Sequence, residues 1–288
     1  MKMRVELLDH GYIEFIESWG SDQRIVETAR MSTGKGFLGW DPGPCPECNG
    51  KGTVREDGVR IWSEKAYPEH LPDLTIVHRG HWTAVETDVP CRYCEGKGQI
   101  LGDQKLLKFL YDKKHSSPFE FAGMTIEVQA PIMVYREWHR HRTQAYSELS
   151  ARYTPLPDQN YLPTPTRCLQ VSGTNKQAGK AKGAAELTHE AALEWLDELY
   201  RVYEHAEIVY QRGLAIGIPK ELARLPVPVG RYSRMRATGN LRNWLLFLTL
   251  RQAPDAQWEI RQFANALEEF IGTIFPRTHR LFVDGAES

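Results

Sequence analysis

The chain has 288 residues, 41% of them hydrophobic and 25% charged, which is typical of globular proteins and excludes disordered, collagenous and fibrous classes. Its 36 basic and 37 acidic residues leave a formal net charge of -1, so no overall basic field attracts nucleic acid or anionic lipid. The most apolar stretch, 241–250, is interrupted by Arg242 and Asn243 and falls short of the ~20 apolar residues that span a bilayer. We therefore expect no membrane contact and no nucleic-acid partner. Charges scattered through the N-terminal segment do not fit a secretory signal, and we expect a cytoplasmic location.

Hydrophobic periodicity predicts strands and helices in the first half of the chain. Residues 4–8 are a short strand candidate, and Ser21 can cap a helix that begins after it. A short helix is expected at 104–111. Apolar and polar residues alternate over 124–130, which predicts a half-buried strand, and Pro131 suits the first turn of the helix that follows.

Two long amphipathic helices are predicted in the second half. Both have apolar residues spaced by threes and fours, and Thr188 is the expected N-cap of the first helix. The apolar positions of the first helix are Ala192, Leu196, Leu199, Tyr203, Ala206 and Tyr210. Those of the second helix are Ile260, Phe263, Leu267, Phe270 and Ile274. We expect the aromatic residues of both stripes to lie in the core. The segment 167–183 is polar and without period, so we expect a mobile surface loop; a phosphate-binding role for its lysines is the less favoured interpretation.

Four of the five cysteines form two matching CxxCxGxG units, at 45–52 and 91–98. Two residues between thiolates let one turn place both sulfurs on one metal ion, and two such turns complete a tetrahedral shell. We therefore predict a structural Zn²⁺ site formed by Cys45, Cys48, Cys91 and Cys94. The units resemble the cysteine-rich zinc repeats of the J-domain chaperones, which implies zinc and not chaperone activity.

The cysteine units bound a segment with no long helical period, which predicts loops and short strands. We expect residues 41–101 to be an inserted zinc-binding module and residues 1–40 and 102–288 to form one catalytic domain. A partner-binding role and a passive structural role for the module both stay open.

The segment Arg136–Tyr153 packs four arginines and two histidines into 18 residues. Such a density of positive charge is costly to bury without an anionic ligand, and the forked donors of arginine match phosphate oxygens. A phosphorylated substrate is predicted. The alternative is a basic, solvated helix end.

The order of residues favours the first interpretation. Arg140-His141-Arg142, followed by seven residues and then Ser150, resembles the RHRx7S signature of the flavin-dependent thymidylate synthases. Further motifs of that family are matched in order, at 115–120, 148–153, Arg224, 240–242, 247–251 and 256–260. The resemblance covers nearly everything outside the cysteine-bearing segment and the 167–183 loop.

The resemblance implies a mixed α/β (α+β) fold with a central sheet and long helices, in homotetramers with shared active sites. It implies conversion of dUMP to dTMP with FAD, NADPH and methylenetetrahydrofolate, the folate carrying the carbon. The implied dUMP contacts are Glu137, Arg140, Glu148, Leu149, Ser150, Ala151, Arg152, Arg224 and Arg251. The implied FAD contacts are Ser117, Glu120, Arg140, His141, Arg142, Glu148, Asn240 and Arg242. His115 would lie on the folate side.

Arg251 is the predicted catalytic residue, because a permanently charged guanidinium can stabilise an anion that develops on a pyrimidine ring. No protein nucleophile is then needed, and neither Cys168 nor Ser150 is assigned that role. The chain departs from the family pattern at Leu246, where His or Asn usually meets the flavin, and at His139, where an apolar residue is usual. These departures keep two alternatives open: a dUMP hydroxymethylase on the same fold, and an inactive flavoprotein relative that acts as a zinc-dependent scaffold.

Overall fold

The computed structural model describes the backbone of residues 3–64 and 80–286. His70 and His78, which the sequence places between the cysteine units, lie outside the described residues. The chain divides into two compact units, one formed by residues 1–28 and 110–288 and the other by residues 29–109. The second unit is therefore wider on both sides than the predicted module.

The described strands and helices are numbered in chain order. The strands are β1 (Arg4–Leu7), β2 (Gly11–Trp19), β3 (Gly43–Pro44), β4 (Thr53–Glu64), β5 (Gly80–Pro90), β6 (Gln99–Ile100), β7 (Gly123–Pro131), β8 (Ala145–Glu148) and β9 (Tyr232–Asn240). The helices are α1 (Asp22–Arg30), α2 (Asp103–Asp112), α3 (Ile132–Trp138), α4 (Pro165–Cys168), α5 (His189–Ala215), α6 (Lys220–Ala223), α7 (Leu241–Arg251), α8 (Trp258–Ile274) and α9 (Pro276–Ala286). Short 3-10 turns lie at Met31–Thr33, Ser117–Phe121 and Lys176–Ala178.

The larger unit is built on a five-stranded antiparallel sheet in the order β1-β2-β7-β9-β8. Strand β7 lies at its centre, and its apolar residues from Met124 to Ala130 alternate with half-buried polar ones, as predicted. The long register of β7 on β9, from Gly123 opposite Asn240 to Pro131 opposite Tyr232, brings the starts of α3 and α7 to opposite ends of the same strand pair. The expected fold class, mixed helices on a central sheet, is confirmed.

The two long helices differ in burial. In α8 four of the five predicted stripe residues are in the core, since Ile260, Phe263, Leu267 and Phe270 are at most 3% exposed, and the last, Ile274, is half-buried. In α5 only Ala192 and Tyr210 of the predicted stripe are buried, and the others are half-buried. The core prediction is thus right for α8 and only partly right for α5, whose 27 residues also expose large apolar side chains such as Val202 and Ile208.

Local signals in the sequence are mostly confirmed. Ser21 Oγ accepts a hydrogen bond from Arg24 N at the start of α1, and Thr188 Oγ1 accepts one from Ala191 N at the start of α5. Pro131 is the N-cap residue of α3 and not part of its first turn. The 167–183 segment is more structured than a plain loop, because it includes the end of α4 and a 3-10 turn.

The smaller unit contains the hairpin β4–β5, which pairs from Thr53 opposite Pro90 to Glu64 opposite Gly80. Strands of 12 and 11 residues are longer than the loops and short strands expected there. Asp103 is fully buried and accepts hydrogen bonds from the Arg30 guanidinium and from Leu38 N, which explains why residues outside 41–101 belong to this unit.

Candidate active site and metal centre

Arg251, the last residue of α7, is held through all three nitrogens of its guanidinium group. Its Nε donates to His141 Nε2, its Nη1 to Glu137 Oε2 and its Nη2 to the Glu137 carbonyl oxygen, each at 2.8 Å. The side chain is only 14% exposed. These contacts fix the plane of the guanidinium before any ligand binds.

His141 is neutral in this arrangement. Its ring is buried and packs on Phe247 with the centroids 4.8 Å apart. Burial, and then the charge of Arg251, lower the pKa of His141 to about 4. Because Nε2 accepts the bond from Arg251, the single ring proton must lie on Nδ1.

Side-chain hydrogen bonds stabilise the turn that carries His141. Burial raises the pKa of Tyr146 to about 12, so its hydroxyl stays protonated and donates to the His141 carbonyl oxygen at 2.7 Å. Gln144 Oε1 accepts from Trp138 Nε1 at 3.0 Å. The residues between α3 and β8 therefore form an ordered turn.

Arg140 and Arg142 flank His141 and are exposed. Within the part of the chain that the structure describes, neither guanidinium has an acidic or hydrogen-bonding partner. Two uncompensated charges beside a rigid turn can bind an anionic ligand that approaches from outside the protomer.

Several of the predicted nucleotide contacts that follow this turn in the chain line a pocket of about 260 Å³. Glu148, Leu149, Ala151 and Arg224 are all part of its wall. Ser150 Oγ accepts from Arg152 N at 3.3 Å and so stabilises the turn itself. Arg152 forms an ion pair at 3.4 Å with Glu221 of α6.

The predicted flavin residues lie around the start of α7. Arg242 forms an exposed ion pair with Glu120, which belongs to the same 3-10 turn as Ser117. Asn240 Oδ1 accepts from Asn243 N at 3.0 Å and is thus engaged as the helix cap. Beside these residues is a pocket of about 410 Å³, whose wall includes His115 and Arg242. It also includes Leu246, the position at which the chain departs from the family pattern.

Within one protomer, the predicted residues that line pockets are divided among three of them. Arg251 and Glu137 line a pocket of about 870 Å³, while the Arg224 pocket and the His115 pocket share no lining residue with it. Eight of the predicted residues line these pockets: Glu137 and Arg251 the first, Glu148, Leu149, Ala151 and Arg224 the second, and His115 and Arg242 the third.

The four predicted metal ligands, in contrast, converge completely. All are buried, and their sulfur atoms lie within 4.8 Å of one another. Cys45 Sγ is 3.9 Å from Cys91 Sγ, and Cys48 Sγ is 3.7 Å from Cys94 Sγ. The arrangement is able to hold a metal ion.

The two cysteine turns are nearly identical and are hydrogen-bonded to each other. Cys45 N donates to Gly98 O and Cys91 N to Gly52 O, both at 2.8 Å. Gly52 N donates to Cys48 Sγ and Gly98 N to Cys94 Sγ, both at 3.2 Å. Both glycines have positive φ, and a Cβ on either would meet a backbone oxygen at 2.4 Å, so the motif requires glycine there.

Sequence reasoning missed three charged residues near Arg251. Arg167 and Arg261 line the same large pocket, and Glu259 lies buried behind it. The available signal was a carboxylate inside the apolar stripe of α8, since a charge on a buried helix face requires a partner. That partner is Arg167, whose Nε donates to Glu259 Oε1 at 2.9 Å.

Comparison with known proteins identifies the family. The family model described as thymidylate synthase complementing protein matches residues 14–277, so the chain belongs to that family. A flavin-dependent thymidylate synthase of Pseudothermotoga lettingae is 35% identical over 281 residues, which cover 98% of this chain and 94% of that protein. A flavin-dependent thymidylate synthase of Thermus thermophilus is 30% identical over 271 residues, covering 93% and 74%.

A solved structure supports the same relationship. The UMP/dUMP methylase PolB from Streptomyces cacaoi, bound with 5-Br UMP, superposes with a TM-score of 0.65 at 27% identity and covers 97% of this chain and 96% of that chain. Its complex with 5-Br dUMP gives the same TM-score at 28% identity. The expected family is therefore confirmed. Among the described residues, no helix is both long enough and apolar enough to cross a membrane.

Proposed function

We propose that the protein is a flavin-dependent thymidylate synthase that converts dUMP to dTMP. Methylenetetrahydrofolate donates the carbon, and FAD reduced by NADPH supplies the hydride. Family membership supports the reaction class, and the likeness to a UMP/dUMP methylase supports a uridine nucleotide as substrate. The observation that carries the proposal is the guanidinium of Arg251, fixed through three nitrogens in the wall of a large pocket.

Arg251 stabilises negative charge on the pyrimidine. Three of its five N–H groups are committed to His141 and Glu137, and one on each terminal nitrogen is left for a ligand. Because the group is always charged and already oriented, it can stabilise an enolate or N3 anion without reorganising. The thiol of Cys168 is no competitor as a nucleophile, because burial raises its pKa.

The remaining ligand contacts follow the family pattern. We assign the nucleotide to Glu137, Arg140, Glu148, Leu149, Ser150, Ala151, Arg152, Arg224 and Arg251. FAD is assigned to Ser117, Glu120, Arg140, His141, Arg142, Glu148, Asn240 and Arg242, and the folate side to His115. The unpaired guanidiniums of Arg140 and Arg142, within the described part of the chain, support an anionic ligand at this turn.

Active sites shared between subunits are part of the proposal. Eight of the assigned residues are divided among three pockets of one protomer, which is consistent with a site that uses residues from more than one copy. The exposed apolar residues of α5 are consistent with burial in such an assembly. We propose a homotetramer, acting in the cytoplasm.

The metal centre is proposed to hold Zn²⁺ as a structural ion. A tetrahedral site with zinc–sulfur bonds of about 2.3 Å has sulfur atoms about 3.8 Å apart. The sulfur pairs at 3.9 and 3.7 Å fit this spacing. Four thiolates fill the shell and leave no position for substrate, so zinc here stabilises the smaller unit and takes no part in the reaction.

Product mass tests the proposal. The protein is incubated anaerobically with FAD, NADPH, methylenetetrahydrofolate and either dUMP or UMP, and the nucleotide is analysed by mass spectrometry. A methylated dUMP is expected. Methylated UMP would define a second candidate function, which the structural likeness to a UMP/dUMP methylase favours.

Two outcomes would contradict the proposal. A hydroxymethyl product would assign the chain as a hydroxymethylase, and unchanged nucleotide with no FAD binding would favour the scaffold. Bleaching of bound FAD by NADPH is the control for a competent flavoprotein.

A further inference from the structure

We propose that Arg261, together with Arg167 and Trp258, forms a subsite for an anionic group of a co-substrate, in the pocket that also carries Arg251. The ligand group is a phosphate or a carboxylate. The identity of the co-substrates rests on the proposed function, but the subsite itself is argued from the pocket.

Arg261 carries a charge that the described residues leave uncompensated. It lies in the first turns of α8, beside Trp258, and lines the 870 Å³ pocket. Its Nε atom is buried and has no hydrogen-bond partner in the described part of the chain. The guanidinium to which this atom belongs is thus a partly buried charge without a partner among the described residues, and an anion in the pocket would compensate that charge.

Arg167 presents a second guanidinium to the same pocket in a fixed orientation. Its Nε and Nη2 donate to the two oxygens of Glu259 at 2.9 and 3.4 Å, and Glu259 is only 4% exposed. Tyr161 also donates to Glu259, and its pKa is raised by burial, so its hydroxyl stays protonated. The Arg167 guanidinium lies 5.5 Å from the centre of the Trp258 ring, which adds a cation–π contact.

These contacts leave Nη1 of Arg167 without a partner among the described residues. A guanidinium held at one edge and open at the other is preorganised for a second anion, because little side-chain entropy is lost on binding.

Another part of the pocket wall is a segment that is held by a hydrogen bond. Six residues between 170 and 178 line the pocket, and Asn175 Nδ2 donates to Asp255 O at 2.9 Å, which ties this segment to the residues before α8. The lining includes three arginines and two acidic residues, and Arg251 is paired with Glu137 while Arg167 is paired with the buried Glu259. Among the described residues, Arg261 is thus the lining arginine that lacks an ion-pair partner, and an anion bound there would also reach the open edge of Arg167.

The size of the pocket indicates a ligand beside the nucleotide. Ligand pockets run from about 300 to 1,000 Å³, and this one, at about 870 Å³, is near the upper end. If the pyrimidine lies against Arg251, room is left at Arg261 for part of a co-substrate. The 2′-phosphate of NADPH and the glutamate carboxylates of the folate have the required chemistry.

Binding measurements with matched ligands test the subsite and identify the source of the anion. Arg261→Ala is compared with wild type and with Arg280→Ala, which removes an exposed arginine of α9 that does not line this pocket. Dissociation constants are measured for NADPH against NADH, for tetrahydrofolate against tetrahydropteroate, and for dUMP. Arg261→Lys keeps the charge and is expected to recover part of the affinity.

We expect Arg261→Ala to weaken one anionic ligand about tenfold, equivalent to about 1.4 kcal/mol, while its matched ligand and dUMP are unchanged. Loss confined to NADPH assigns a phosphate; loss confined to tetrahydrofolate assigns a carboxylate. Equal losses within a pair, a loss confined to dUMP, or no loss at all would overturn the proposal.

The test is separable from the proposed function. Failure of the proposed function appears as wild-type protein that makes no C5-substituted nucleotide. Failure of the subsite appears as unchanged binding in Arg261→Ala, whether or not wild type turns over.

Discussion

The metal centre formed by the four cysteines (the cysteine centre) and the predicted active site around Arg251 (the arginine centre) are built in different ways. The four cysteines come from two short turns of the same sequence pattern, and all four sulfurs meet inside one unit. The predicted substrate residues come from α3, β8, α7, the turns between them and the end of α6, and those that line pockets in one protomer are divided between two pockets.

The difference follows from the range of the interactions. A CxxC turn sets the separation of its two sulfurs through local backbone geometry, so only the pairing of two turns is left to the fold. Arg251 reaches His141 and Glu137 across more than 100 residues of sequence, and only the register of β7 and β9 with the packing of α7 brings them together.

The largest effect is expected from removing the centre of the arginine site. Arg251→Ala should lower kcat on the order of 10²–10³-fold, because charge stabilisation on the reacting ring is lost. FAD should remain bound, because Arg251 is not among the assigned FAD contacts, and zinc content should stay at the wild-type level, because the described side-chain contacts of Arg251 are to His141 and Glu137. Steady-state kinetics with the flavin absorbance of the same sample checks this; turnover within tenfold of wild type would remove Arg251 from its assigned role.

Breaking the cysteine centre should produce the opposite pattern. Cys45→Ser is expected to abolish zinc binding, because three thiolates do not complete the shell, and to increase amide hydrogen exchange across residues 29–109. Cys168→Ser is the matched control, since that cysteine lies outside the cluster. Metal analysis of both purified variants decides the matter, and full zinc content in Cys45→Ser would contradict the four-cysteine assignment.

A smaller effect is expected from the neutral histidine at the arginine site. The pKa of His141 is lowered to about 4 in the folded protein, against an ordinary value of about 6.5. Between these values the unfolded chain binds a proton that the folded chain does not, so this group reduces stability as pH falls through that window. It has no effect above the ordinary pKa.

His141→Gln tests this dependence. An amide oxygen can accept the bond from Arg251 Nε but cannot titrate. The variant should lose less unfolding free energy than wild type between about pH 7 and about pH 5, measured by denaturant titration. Parallel losses in both proteins would show that the acid sensitivity comes from other groups.

The smallest effect on stability is expected at the flavin side. Glu120 and Arg242 form an exposed pair, which typically contributes about 0–1 kcal/mol. Glu120→Gln should therefore leave the unfolding free energy within about 1 kcal/mol of wild type and weaken FAD binding severalfold. Glu6→Gln is the control, because it alters an exposed ion pair, with Arg4, that is not part of the assigned flavin site. Unchanged FAD affinity would contradict the assignment of Glu120.

Much of the fold was predictable where local signals are strong. The cap at Thr188, the alternation in β7 and the buried stripe of α8 were read correctly, since capping and periodicity act within a few residues. The hairpin β4–β5 was missed because pairing between strands is not encoded in the period of either one.

The burial of α5 shows a limit of periodicity. Its stripe has the same spacing as that of α8, yet its residues are mostly half-buried. Periodicity identifies which face is apolar, but the elements that cover that face are set by the rest of the fold.

By itself, the sequence determined the family, the mixed fold class and the cysteine cluster, because motifs and short turns are carried by neighbouring residues. The tertiary structure alone decided that His141 is buried and neutral against Arg251, and that Arg167 is locked by Glu259 beside Arg261. These are matters of burial and of contacts between distant segments. The pKa of a histidine and the cost of an unpaired arginine depend on the surrounding solvent and partners, which only the packed chain defines.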